Sequence, residues 1–164
     1  MKILATTVVA LALLPLPGRS TENLAGQVAQ LSANAGLRSI AETSDASEVR
    51  VWRTEALTDA TVGWVITSNM ITVYSGSNST RPVARFRTPR AATLLRVFNG
   101  LSRYNGQWLS CGRIKDGWGL SVEGSNRSGP YAIAASTPNM CASGGASEVW
   151  LAYRQLLEVT GREP

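Results

Sequence analysis

Met1-Lys2, an apolar run from Ile3 to Leu14 and a Pro/Gly-containing exit from Pro15 to Ser20 form the pattern of a secretory signal peptide. That leader sets the conditions under which everything after it must fold. About a dozen apolar residues fall short of the ~20 that a bilayer-spanning helix needs, so the run reads as a cleavable address rather than an anchor. Gly18 and Ser20 suit the positions three and one before a cut, which places cleavage after Ser20. The remaining 144 of 164 residues are the size of one ordinary domain and long enough to bury a continuous core. The protein is expected to be exported, either periplasmic or extracellular, and to keep no transmembrane segment once the leader is removed.

Cys111 and Cys141 are the only cysteines. In an oxidising compartment an isolated pair is expected to be bridged. Closing a loop of about thirty residues stabilises a fold by roughly 3 to 4 kcal/mol in the chain-entropy model. Redox-active cysteines usually sit two residues apart, whereas two expected strands separate these, so the pair reads as structural.

Residues 21–47 read as an N-terminal leader or short helix, with Leu24, Val28 and Leu31 at helical spacing. From Glu48 the chain alternates, Val49 and Val51 on one face and Arg50, Trp52 and Thr54 on the other, which is the period of a half-exposed strand. Trp64–Thr67 and Met70–Tyr74 flank Ser68-Asn69 as a hairpin, and 83–87 add a further strand behind Pro82. Thr88 as N-cap and Pro89 at the first helical position then open a helix whose stripe is Ala91, Leu94, Leu95, Phe98 and Leu101. Residues 104–115 look irregular. A second hairpin is expected from Trp118–Glu123 and Tyr131–Ser136, separated by the Gly/Ser/Asn/Pro group 124–130. Ser147 caps a closing helix that buries Val149, Ala152, Tyr153 and Leu156 and stops at Gly161. The order strands, helix, strands, helix predicts an α+β domain: a mainly antiparallel sheet of about five to six strands with two helices packed on one face. It occupies 48–160 as a single globular unit, with 161–164 as a tail.

The chain contains no histidine. A Ser-His-Asp or Cys-His catalyst and a histidine-ligated zinc or iron centre are therefore excluded, and no cofactor or metal site is expected. Two carboxylates would still allow glycoside hydrolysis, and Asp116 and Glu123 are the pair nearest the aromatic-rich region. Their setting favours ordinary solvated acids, because Asp116 belongs to a turn and Glu123 lies near a strand end.

Charge points to a partner. Without the leader the formal net charge falls from +5 to +3, yet no acidic residue occurs between Asp59 and Asp116, a stretch holding Arg81, Arg85, Arg87, Arg90, Arg96, Arg103, Arg113 and Lys115. Arg85 and Arg87 are expected to share one strand face, with Arg90 and Arg96 on the helix that follows. Guanidinium groups there suit the oxygens of an anionic ligand or an acidic protein surface, and nothing points to specific nucleic-acid recognition. Most of the five tryptophans read as core; Trp108 is the candidate for exposure, together with Tyr104 and Arg103 in one pocket. These features predict a small exported binding or inhibitory module without catalytic activity. An envelope-polymer hydrolase and a subunit of an envelope or secretion assembly are the alternatives.

Overall fold

A computed structural model describes residues 21–43, 48–55, 61–75, 81–111 and 117–161. Residues 1–20, read as a signal peptide, and Asp116 lie outside the described residues. Helix α1 spans Thr21–Asn34 and is followed by strands β1 (Val49–Glu55), β2 (Thr61–Ile66), β3 (Met70–Ser75) and β4 (Pro82–Arg87). Helix α2 (Arg90–Gly100) runs into a 3-10 turn (Leu101–Tyr104). Strands β5 (Trp108–Leu109), β6 (Trp118–Asn126) and β7 (Gly129–Ser136), a second 3-10 turn (Pro138–Met140) and helix α3 (Gly144–Thr160) complete the order. The class is α+β, but the sheet has seven strands rather than five or six and three helices pack on it rather than two.

The strands lie in the order β4-β3-β2-β1-β6-β7-β5. All neighbours are antiparallel except β5, which adds two residues parallel to β7. β1 is thus central although it comes first. On one face Val49, Val51, Trp64, Ile71, Val122 and Ile133 meet Leu94 and Phe98 of α2 and Val149, Tyr153 and Leu156 of α3. Trp64 meets Tyr153 edge to face with ring centroids 5.4 Å apart, which suits the opposed charge distributions of ring edge and ring face.

The opposite face overturns the expectation that both helices, and only those, cover one side. There α1 places Leu24 and Val28 against Trp52, Ala132 and Ala134, with Leu31 at the margin. Small side chains at 132 and 134 let a helix approach β7 closely. The alternation read for β1 is real, but it does not mark a half-exposed strand: Arg50 and Trp52 are as buried as Val49 and Val51. Trp52 can lie flat on the sheet because its cross-strand partner is Gly63. A Cβ there would run into the Trp52 indole ring. Gly63→Ala is therefore expected to destabilise the fold by about 1 to 3 kcal/mol, the usual range for overpacking. A urea midpoint equal to wild type would show that the ring has another place to rest.

Local signals place the helix ends with small shifts. The Thr88 hydroxyl accepts the Arg90 N–H at 3.3 Å, while Pro89 stands one position earlier than read, as the cap. α3 has Ser143 rather than Ser147 at its N-cap position, and it ends as expected where Gly161, at φ 62°, donates its N–H to Leu157 O. The segment 124–130 is not a loop: β6 and β7 extend into it and turn tightly through Arg127-Ser128. Cys111 and Cys141 form the expected disulfide, joining the chain after β5 to the chain before α3. Among the described residues no helix is long and apolar enough to cross a membrane.

Candidate functional site

Three ionisable side chains converge under α1. Arg50 of β1 lies directly across from Glu123 of β6, the cross-strand arrangement in which opposite charges attract most strongly. Its Nη1 donates to Glu123 Oε1 at 3.2 Å and to the Arg38 carbonyl at 2.7 Å, while Nε donates to Glu48 Oε1 at 2.6 Å. The Ser32 hydroxyl of α1 donates to the same Glu123 oxygen. The Arg50 side chain is 2 % exposed and that of Glu123 6 %. The guanidinium thereby ties two central strands to the connection at Arg38, and Glu123 carries the tie on to the helix through Ser32.

Burial pushes the Glu123 carboxyl above the ordinary glutamate pKa; Ser32 and Arg50 oppose that shift without cancelling it. The Trp52 indole N–H also favours the ionised carboxylate, although it makes no hydrogen bond within normal geometry. Fully ionised, Glu48, Arg50 and Glu123 carry one net negative charge. Beside them opens a cleft of about 380 Å³ between α1, the turn at Ser39–Ala41, the Asn105-Gly106 corner and the β6–β7 hairpin. Its walls are mostly small and apolar, Ala25, Ala29, Ile40 and Ala132 among them, and Glu123 is the one carboxylate lining it among the described residues.

Glu123 was read from its place near a strand end as a solvated acid. It is buried instead, because α1 and the chain at 38–40 close over that face. Two-carboxylate hydrolysis needs a second acid facing the first across a groove roughly 5 to 10 Å wide, and no other described carboxylate lines this cleft. Asp116, the intended partner, lies outside the described residues. Among the described residues no group of acidic or cysteine side chains is placed to hold a metal ion.

The arginines divide between the two sides of the sheet. Arg85 and Arg87 are exposed on edge strand β4, opposite Thr72 and Met70, on the same face as Arg50 but beyond α1. Arg90 opens α2, and Arg96 is exposed on that helix away from Ala91, Leu94 and Phe98, hence on the far side of the molecule. Neither Arg85 nor Arg87 has an ion pair among the described residues. Arg103 and Tyr104 serve a different purpose. Both reach Glu148 at the start of α3, Tyr104 donating at 2.8 Å, and the Arg103 guanidinium lies 4.8 Å from the Tyr104 ring centroid. They clamp the first 3-10 turn to α3.

Trp108 is 43 % exposed and is the only exposed tryptophan of the five. It pairs with Ala134, whose side chain faces α1, so Trp108 and Tyr104 sit on opposite sides rather than in one pocket. Arg50, Glu48 and Ser32 were missed by sequence reasoning. Their only signal was a charged residue alternating with valines in a strand where Trp52 occupied the same face. Compared with models of known families and with curated proteins, the chain gives no match.

Proposed function

We propose that this is an exported binding or inhibitory module without catalytic activity that engages an acidic protein surface through the open β3–β4 part of its sheet. The observation that carries the reading is the pair Arg85 and Arg87. They stand two positions apart on one face, roughly 7 Å from each other, exposed and without ion-pair partners among the described residues. α1 covers β7 and β1 and reaches Tyr74 at the margin of β3, and Arg85 and Arg87 on β4 stay exposed beyond it. Each guanidinium offers a planar fork that matches a carboxylate, so two of them favour an acidic patch over a single anion. Strand addition at the same edge is the less favoured reading, although Val83 is 48 % exposed there. Pro82 lacks a donor and flanking charges obstruct a second strand.

The double variant R85E/R87E is expected to lose retention on a sulfonate matrix and to bind an acidic protein at least tenfold more weakly at ~0.1 M salt, where charges interact over ~10 Å. Arg96→Glu, on the other side, is expected to change either measurement far less. Equal loss in the Arg96 variant, or full retention in the double variant, would remove β4 as the contact.

A further inference from the structure

We propose that the cleft between α1 and the β6–β7 hairpin binds a small organic cation, a primary amine with an apolar body, whose ammonium group meets the Glu123 carboxylate. This site is separate from the arginine edge and does not depend on it. Its volume, about 380 Å³, falls in the range of ordinary ligand pockets, roughly 300 to 1,000 Å³. The class of ligand follows from what is already engaged at its floor. Ser32 and Arg50 both donate to Glu123 Oε1, while Oε2 receives no hydrogen bond among the described residues. Glu123 lines the cleft, and a carboxylate oxygen accepts more than one donor, so Oε2 has capacity left for a ligand.

Charge selects among donors. Arg50 divides its guanidinium between the partly exposed Glu48 and the buried Glu123, so the ionised Glu123 carboxylate shares its one counter-ion with a second acid. An ammonium group removes that imbalance, whereas a hydroxyl supplies a hydrogen bond and leaves the charge. The walls select the body of the ligand. Ala25, Ala29, Ile40 and Ala132 present methyl and methylene groups, and none of them offers a side-chain polar atom. Asn105 Oδ1 is already committed to the Ala132 N–H at the rim. An apolar group of modest size therefore fills the space that the small side chains leave, with its charged end directed inward.

The test uses phenethylamine and its neutral counterpart 2-phenylethanol, titrated into the protein labelled for amide NMR. The amine is expected to shift the amides of the 39–41 turn, Gly106 and Ala132 in a saturable manner, and the alcohol to bind at least tenfold more weakly. Glu123→Gln keeps the shape of the cleft and is expected to abolish the preference for the amine. Ala25→Leu leaves the charges in place and fills the opening, and it is expected to weaken both probes at least tenfold. Equal binding of amine and alcohol overturns the cation assignment. Unaltered amine binding in Ala25→Leu, or no saturable shifts in a wild-type protein whose spectrum shows it folded, overturns the site.

Discussion

Replacing Arg50 with methionine is expected to destabilise the protein by about 3 to 5 kcal/mol, the range for removing one partner of a buried ion pair. The substitution conserves much of the side-chain volume, so the loss is not chiefly one of packing. It arises because Glu48 and Glu123 both lose the guanidinium that neutralises them, and the Arg38 carbonyl loses its donor. Urea denaturation checks the magnitude. The first region to lose amide protection should be α1, whose polar tie to the sheet runs through Ser32 and Glu123. A loss below about 1 kcal/mol would place the cluster with exposed ion pairs, which contribute little.

Glu123→Gln should behave in the opposite way, because the amide oxygen still accepts from Ser32 and Arg50 keeps Glu48. The sign with pH follows from burial. Since the folded protein raises the Glu123 pKa, it holds that proton more tightly than the unfolded chain does. The stabilisation associated with it is complete below the ordinary glutamate pKa and is lost as pH rises through the raised folded value. The glutamine variant should therefore gain stability relative to wild type across that window. A relative loss over the same window would mean that Arg50 and Ser32 outweigh desolvation.

The second large effect is expected at the disulfide. Changing Cys111 and Cys141 together to serine should lower stability by about 3 to 4 kcal/mol through the freedom returned to a thirty-residue loop of the unfolded chain. The damage should also be local. β5 is held by only two residues of pairing with β7, supported by Ala134 N–H to Gln107 O and Gly106 N–H to Ala132 O. Hydrogen exchange at Ala134 and Gly106 should accelerate more than exchange at Val51 or Trp64 in the central strands. A uniform acceleration would show that the bridge acts on global unfolding alone.

Elements whose causes are local were legible in the sequence. Thr88-Pro89, the stripe through Phe98 and the stop at Gly161 each depend on residues within a few positions, and each marks a real helix end to within a few residues. The alternation in β1 was also visible, but not what lay over it. Whether Arg50 faces water depends on α1, Glu48 and Glu123, and nothing near position 50 encodes the approach of residue 123. The 124–130 segment misled for a related reason: its turn-forming residues are accommodated in paired strands because β6 and β7 extend one another's register. The cleft was illegible, since four separated stretches of chain make its walls and five of the eleven lining residues are alanine or glycine.

β1 carries a consequence for how the molecule is assembled. β1 through β4 join by short local connections, and β6 with β7 by a tight reversal, but Val49 finds Gly124 seventy-five positions downstream. During synthesis the first half is complete long before that mate exists, so the inner border of the meander stays bare, its backbone N–H and C=O groups without a strand to pair with. Closing this distant seam should be the slow step of folding. A nascent chain halted ahead of residue 118 would offer that border to other copies of itself, making the seam the point where delayed synthesis turns into clumping.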